Sequence, residues 1–503
     1  MGIFANPLTD LLEYEDFSRD FLKGTDPVGM TGCIDSEKVH FMSTFLGEKK
    51  VQLVVTYSEQ RAREIEEDYK LFCSQVYVIP PRDLIFFSAD LQGNAIIAER
   101  MKAFAALYQN EAKVIITTMD ALMSAAVPFE QLMSHVIKLK EGDELDLEKL
   151  KHDLTVMGYE RVGRVEEPGQ FTVHGGIADV YPLTMEVPVR IELWGDEIDT
   201  IRCFEPQSQR SMDQIECVSV FPAAEVIADD TARRRAAGMI QNELESQLAV
   251  FKKAKEPDKA KRLREETNRI LEALGEDVVL EAPDSYISYF YPRTVQLSEY
   301  FDEKNTLVFL DEPMRLKERG DGVQAEFEES MKNRLEQGFL LPGQTALLTP
   351  AKHVLAAFER GQVAALSSLD SRLADFTVVN SYAVNVQNMN TYREGFELLI
   401  KDLTHWKKEK YRIVLLCPSR TRANRIVNQL IEYDLLAYYS EDEDKKINPG
   451  EIMVTYGNLH RGFLYPMLKF AVITESDIFG VKKKKKEKKS HYQGQRISDF
   501  AQL

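Results

Sequence analysis

The chain has 503 residues, 44% hydrophobic and 29% charged, a globular composition long enough for about three or four domains of about 150 residues each. Its 63 Lys and Arg against 81 Asp and Glu give a net charge of −18, which argues against a surface devoted to coating nucleic acid and leaves only local basic patches. Cys33, Cys73, Cys203, Cys217 and Cys417 show no C-x-x-C spacing, no basic-then-apolar leader opens the chain, and no apolar run approaches the about 18 residues of a membrane span, so a reduced, cytoplasmic protein without disulfides, structural zinc or membrane anchor is expected.

The first notable element is "TGCIDSEKVHF", Thr31 to Phe41. Set on the phosphate-loop pattern G-x-x-x-x-G-K-[ST], it places Gly32 on the first glycine and Lys38 on the lysine, but Glu37 on the second glycine and Val39 on the hydroxyl. In a working loop the glycines let backbone N–H groups approach the phosphates, the lysine neutralises their charge, and the hydroxyl ligates magnesium. Glu37 instead sets a carboxylate beside the phosphates, and like charges about 4 Å apart repel by on the order of 1 kcal/mol in water and several times that at a protein surface. Two readings stand side by side: a phosphate loop that has lost ATP and Mg, or a plain turn into a helix, with Asp35 or Ser36 as its cap and Glu37 favouring the helix dipole.

Next, "VQLVVT" (Val51 to Thr56) predicts a strand, followed by a helix capped by Ser58 in which Ala62, Ile65, Tyr69 and Phe72 recur at helical spacing. "VYVI", a helix around Ala95 to Tyr108 and "KVIITT" continue the alternation, which is the logic of a parallel sheet with helices on its faces. From about 135 to 225 the runs become short and alternating, broken by Gly and Pro, and predict a small antiparallel α+β domain. In "VRIELW" the strand period of two puts Val189, Ile191 and Leu193 on one face and Arg190, Glu192 and Trp194 on the other; in "FTVHGG" it sends Phe171 and Val173 inward and Thr172 and His174 outward. Trp and Arg are enriched at binding hot spots. The alternative is that Trp194 covers an edge of its own domain while Arg190 pairs with Glu192 or Asp196.

From about 226 to 345 the chain turns helical, with a stretch of mixed charge that suits a solvated helix, and returns to a buried strand in "TLVFLDEP". There Asp311 and Glu312 resemble a Walker B acid pair, and Pro313 supplies no catalytic partner. A further α/β block is expected from 370 to 478, where Ala423, Ile426, Leu430 and Ile431 mark one side of a helix. Residues 479–503, with lysines from Lys482 to Lys489, read as a flexible linker, so the sequence is expected to be the front part of something longer.

The string "MGYERVGRVEEPGQFTVHGGIADVYP" followed by "VRIELWGDEIDTIRCFEPQSQRS", together with "TYSEQRAREIEEDYKLF", "ITTMDALM" and "YPMLKFAVITESDIFG", resembles the N-terminal half of the bacterial transcription-repair coupling factors, whose opening domains are similar to the excision-repair protein UvrB. The resemblance covers nearly the whole chain and implies an α/β multidomain architecture. Residues 1–134 and 226–345 would combine into one degenerate RecA-like (P-loop NTPase-like) fold without ATPase activity, and 135–225 would be an inserted domain that docks UvrA. Residues 370–478 would be the family's variable third domain. RNA polymerase and duplex DNA would be engaged by family domains beyond residue 503. The family further implies that Arg190 and Trp194 contact UvrA. His174 stands where arginine is common, so its charge there would be mostly absent at neutral pH. The competing reading is an active, ATP-dependent, DNA-binding repair enzyme of the UvrB type; against it stand Glu37, Val39 and the absence of an arginine-rich Q-x-x-G-R-x-G-R stretch and of an aromatic-rich hairpin in the first block. A third reading is a scaffold that locks the motor of a longer protein.

Overall fold

The computed structural model describes residues 7–47, 51–82, 92–275, 280, 283–370, 376–392, 395–442 and 445–480. The lysine run falls outside these residues. The chain divides into two compact units, Met1–Val386 and Gln387–Leu503.

The first unit is built on a seven-stranded sheet in the order Asn380–Ala383, Val28–Thr31, Val363–Ser367, Thr306–Asp311, Val51–Thr56, Val114–Thr118, Val76–Ile79. Every pairing is parallel. A parallel sheet is covered on both faces, so its central strands read as continuous apolar runs; Thr306–Asp311 and Val363–Ser367 are buried at every position. One covering helix, Glu59–Tyr69, buries Ala62, Ile65 and Tyr69. Its start is fixed by the Ser58 hydroxyl, which accepts from the Arg61 N–H at 3.2 Å.

Strands far apart in sequence interleave here. Thr306–Asp311 pairs with Val51–Thr56 on one side and Val363–Ser367 on the other, so segments on both sides of an inserted domain complete one sheet. The partition read from the sequence shifts accordingly. Val363–Ser367 falls between the expected blocks and Asn380–Ala383 inside the block expected from 370, yet both belong to this sheet.

The insertion carries a six-stranded sheet, in the order Ser211–Gln214, Glu197–Phe204, Val189–Trp194, Ile177–Val180, Gln170–His174, Glu160–Arg161. It is antiparallel except for its last pair. Helix Leu147–Val156 starts at Asp146, whose carboxylate accepts from the N–H groups of Glu148 and Lys149. Leu150 and Leu154 of that helix share a core with Phe171, Val180, Val189, Ile191 and Ile201, which covers one face of the sheet. Where the chain leaves the insertion, buried Glu225 accepts from Arg100 Nη2 at 3.0 Å. Burial alone would raise its pKa, but Arg100 and Arg82 bring it below the ordinary carboxylate value.

Two long helices follow, Asp230–Ala254 and Pro257–Gly275, which put Ile240, Leu244, Phe251, Leu263, Ile270 and Leu274 into the main core and leave their charged faces outward. The second unit has a six-stranded mixed sheet, in the order Gln387–Asn388, Phe463–Tyr465, Phe470–Thr474, Arg412–Cys417, Ile452–Tyr456, Ala437–Tyr439. Its helix Arg420–Glu432 buries Ala423, Ile426 and Leu430, but Ile431 is 48% exposed. One residue turns a helix by about 100°, which carries Ile431 off the stripe to which the sequence reading assigned it. No helix among the described residues is long and apolar enough to cross a membrane, and the five cysteines are all free.

Candidate functional site

Two places gather the residues singled out by the sequence. The first is at the carboxyl ends of the central parallel strands, where the loop after Val28–Thr31 turns into helix Asp35–Ser43. Gly32 has φ +83, and a Cβ there would lie 2.0 Å from the Val384 carbonyl oxygen. Glycine is required because the chain leaving strand Asn380–Ala383 crosses directly over the loop. Neither Asp35 nor Ser36 occupies the N-cap position, which is Ile34; its N–H donates to Glu37 Oε2 at 3.1 Å. Glu37 is fully buried, and its carboxylate holds the first turn of the helix.

Lys38 reaches the two acids that follow strand Thr306–Asp311. Its ammonium donates to Asp311 Oδ1 and to Glu312 Oε1, both at 2.7 Å. Asp311 Oδ2 accepts from the Thr56 hydroxyl at 2.8 Å and from Arg61 Nε at 3.4 Å. Glu312 Oε1 also accepts from the Ser368 N–H at 2.9 Å and hydroxyl at 2.7 Å. Lys38 is 3% and Asp311 2% exposed, so these charges stand in a low-dielectric setting where unpaired ions would be costly. Burial alone would lower the Lys38 pKa, yet Asp311 and Glu312 raise it above the ordinary lysine value. Burial would raise Asp311, yet Lys38 and Arg61 hold it below the ordinary carboxylate range. Val39, at the position of the magnesium-binding hydroxyl, is fully buried. Sequence reasoning brought Lys38, Asp311 and Glu312 forward separately; it missed that they meet, and it missed Thr56, Arg61 and Ser368.

The second place is the outer face of the insertion's sheet, exposed at Ile177 and Trp194 but buried at Thr172 and Asp179. Register pairs Thr172 and Arg190 with Asp179, His174 and Glu192 with Ile177, and Trp194 with Glu197. His174, Arg190 and Trp194 therefore share one face, with strand Ile177–Val180 between the first and the other two. Gly175 and Gly195, at φ +60 and +67, lie in the tight turns that follow His174 and Trp194, a backbone region that favours glycine. Trp194 is 85% exposed and Ile177 40%, so Trp194 covers no edge of its own domain. Arg190 pairs neither with Glu192 nor with Asp196. Its Nε and Nη2 donate to the two oxygens of Asp179 at 2.8 and 2.7 Å, and its guanidinium lies 4.7 Å from the Phe204 ring centroid. The hydrogen bonds to Asp179 raise its pKa above the ordinary arginine value. Among the described residues no cluster of three or more His, Cys, Asp or Glu side chains is placed to hold a metal ion.

Comparison with known proteins places family resemblances on both units. Residues 137–225 match a family described as the UvrB interaction domain, and residues 405–478 match the D3 domain of MFD. Along the whole chain, the transcription-repair-coupling factor of Bacillus subtilis strain 168 is 28% identical over 506 residues, covering 99% of this chain and 42% of that protein. That of Staphylococcus epidermidis is 27% identical over 494 residues, covering 97% and 41%, and that of Staphylococcus haemolyticus 28% over 490, covering 94% and 40%. The chain thus spans about two-fifths of the length of these curated relatives.

Proposed function

We propose, from the premise that the chain belongs to the transcription-repair coupling factor family and corresponds to its N-terminal half, that it is the adaptor which recruits UvrA during transcription-coupled excision repair. The observation that carries this reading is the outer sheet face of the 137–225 domain, where Trp194 stands 85% exposed at the end of the strand that carries the held guanidinium of Arg190, within the span similar to a UvrB interaction domain. A large apolar side chain left in water on the same strand face as an oriented arginine has the composition of a binding hot spot. His174 lies at the edge of the same face and is the weakest of the three contributors.

The reading assigns no catalysis to this chain. The seven-stranded unit is interpreted as a RecA-like fold whose phosphate loop has become a structural clamp: Lys38 is committed to Asp311 and Glu312, Glu37 to the helix start, and the Val384 carbonyl covers Gly32. These residues do not fit Mg-ATP, which speaks against the rival reading of an active UvrB-type enzyme. Engagement of RNA polymerase and duplex DNA is assigned to segments of the longer relatives outside this chain, in the cytoplasm.

The test is capture of purified UvrA on the immobilised chain. The wild-type chain retains UvrA, and the Arg190→Ala, Trp194→Ala double variant loses it. Retention by the double variant at wild-type affinity overturns the docking assignment.

A further inference from the structure

The docking arginine is not a free charge. Asp179 meets it edge-on through Nε and Nη2 at 2.8 and 2.7 Å, and Gln209 Oε1 lies 3.4 Å from the same Nη2. Gln209 is itself held: its side-chain amide donates to the carbonyls of Pro206 at 2.7 Å and Val165 at 3.1 Å. The Phe204 ring lies against the guanidinium, 4.7 Å away. Asp179 is 8% exposed at its side chain and Arg190 22%, so the carboxylate is the buried member of the pair and the guanidinium the outer one. Edge-on pairing uses Nε and Nη2 and leaves Nη1, which makes no hydrogen bond among the described residues. An arginine fixed along one edge and by a ring has lost most of its rotamer freedom before any partner arrives.

We infer that Asp179 and Gln209 are positioning residues for docking: they hold Arg190 with Nη1 as a directed donor for an acceptor oxygen, a carboxylate or backbone carbonyl, of a protein partner whose apolar surface covers Trp194 and Ile177. This rests on the docking function assigned to the face and adds the residues that orient it. The opposite role is physically available, since Asp179 could compete with an incoming carboxylate for Arg190, and the two roles differ in sign. Positioning makes removal of the Asp179 charge weaken binding; competition makes it strengthen binding.

The experiment is a double-mutant cycle of Asp179→Asn and Arg190→Ala, measured as the affinity of the chain for UvrA, with Trp194→Ala alongside. Asp179→Asn is expected to weaken binding about three- to tenfold, the scale of immobilising one rotamer-rich side chain, and to have no further effect once Arg190 is alanine. Gln209→Ala, which leaves the buried carboxylate in place, is expected to weaken binding about two- to threefold and, like Asp179→Asn, to have no further effect once Arg190 is alanine. Tighter binding by Asp179→Asn overturns the inference, as does equal weakening with and without Arg190, which would mark Asp179 as merely structural. If wild-type chain binds no UvrA, the docking function itself fails. If wild-type binds and Trp194→Ala does not, while Asp179→Asn and Gln209→Ala match wild type, only the positioning role fails.

Discussion

The carboxyl end of strand Thr306–Asp311 and the outer face of strand Val189–Trp194 hold similar chemical parts, cations next to carboxylates, and put them to opposite use. At the first, Lys38 and Arg61 meet buried Asp311 and Lys38 also meets half-buried Glu312, and Thr56 and Ser368 take up further acceptor capacity. The groups of this network are taken up by partners within the fold, and a buried charge set of this kind is retained only while every member is paired. At the second, Asp179, Gln209 and the Phe204 ring hold one arginine, leaving Nη1 without a hydrogen bond among the described residues and the indole of Trp194 exposed. The difference teaches where to look for function in a chain that carries two suggestive motifs. On the proposed reading, the motif with the richer internal bonding is structural, and the face that leaves Trp194 exposed is the place for a partner.

The largest effect that sharpens this contrast is on stability. Replacing Lys38 with Met keeps most of the side-chain volume but leaves Asp311 and Glu312 without their shared cation. Breaking a buried pair by removing one partner costs about 3–5 kcal/mol, and the loss should fall near the lower end because Arg61 and Thr56 still reach Asp311. Urea unfolding of the variant should show it as a lowered midpoint with an unchanged slope. A loss below about 0.5 kcal/mol, the range of ordinary surface changes, would mean that the clamp contributes nothing.

At the open face the expected order of effects reverses. Trp194→Ala should change unfolding stability by no more than about 0.5 kcal/mol, as for an exposed side chain, and weaken UvrA binding by about 2 kcal/mol or more. Arg190→Ala differs from it, because it strands Asp179, 8% exposed, and leaving a buried acceptor unsatisfied costs about 1–3 kcal/mol. Equal stability losses for Trp194→Ala and Arg190→Ala in thermal unfolding would contradict the distinction drawn between them.

The pH dependence of stability probes the closed network more gently. Asp311 is held below its ordinary pKa, so its contribution is present above about pH 4, the unfolded value, and is lost as pH falls through the folded value. Lys38 is raised, so its contribution is present below about pH 10.4 and is lost as pH rises through its folded value. Stability from this network should therefore be flat between those limits. In Lys38→Met the alkaline loss due to Lys38 should vanish and the acid loss should begin at higher pH. Superimposable acid limbs for the two proteins would show that Lys38 does not set the Asp311 pKa.

Much of this was legible in the sequence, and the rest was hidden for definable reasons. Continuous β-branched runs such as Val51 to Thr56 announced a parallel sheet, and the period of two in "VRIELW" put Arg190 and Trp194 on one face before any register was known. Val363–Ser367, "VAALS", is short and rich in alanine, a poor strand former, and became a strand because the slot beside Thr306–Asp311 buries it completely. Asp179 was missed as the partner of Arg190 because the strands that carry them are joined by a long connection whose register local turn chemistry does not fix. The meeting of Lys38 with Asp311 spans 273 positions, and no periodicity reports such a contact. The loop pattern did carry a usable signal: Glu37 and Val39 marked it as altered, while the cap proved to be made by Glu37 and not by Asp35 or Ser36.

The smallest expected effect is none at all: titration of the chain with Mg-ATP should release no heat of binding and produce no phosphate. For a triphosphate to seat on the loop, Lys38 would have to leave two carboxylates, each 2.7 Å away, which would then face the incoming anion without their shared cation. The chain at Val384 would have to withdraw from Gly32, where even a Cβ would meet the carbonyl oxygen at 2.0 Å. Glu37 would have to give up the Ile34 N–H and with it the first turn of the helix. What one lysine can offer a phosphate, on a loop without a magnesium-binding hydroxyl, does not offset three such losses, when breaking the buried pair alone costs about 3–5 kcal/mol. A micromolar dissociation constant that Lys38→Ala abolishes would overturn this account and make the first region, like the second, a site open to a ligand.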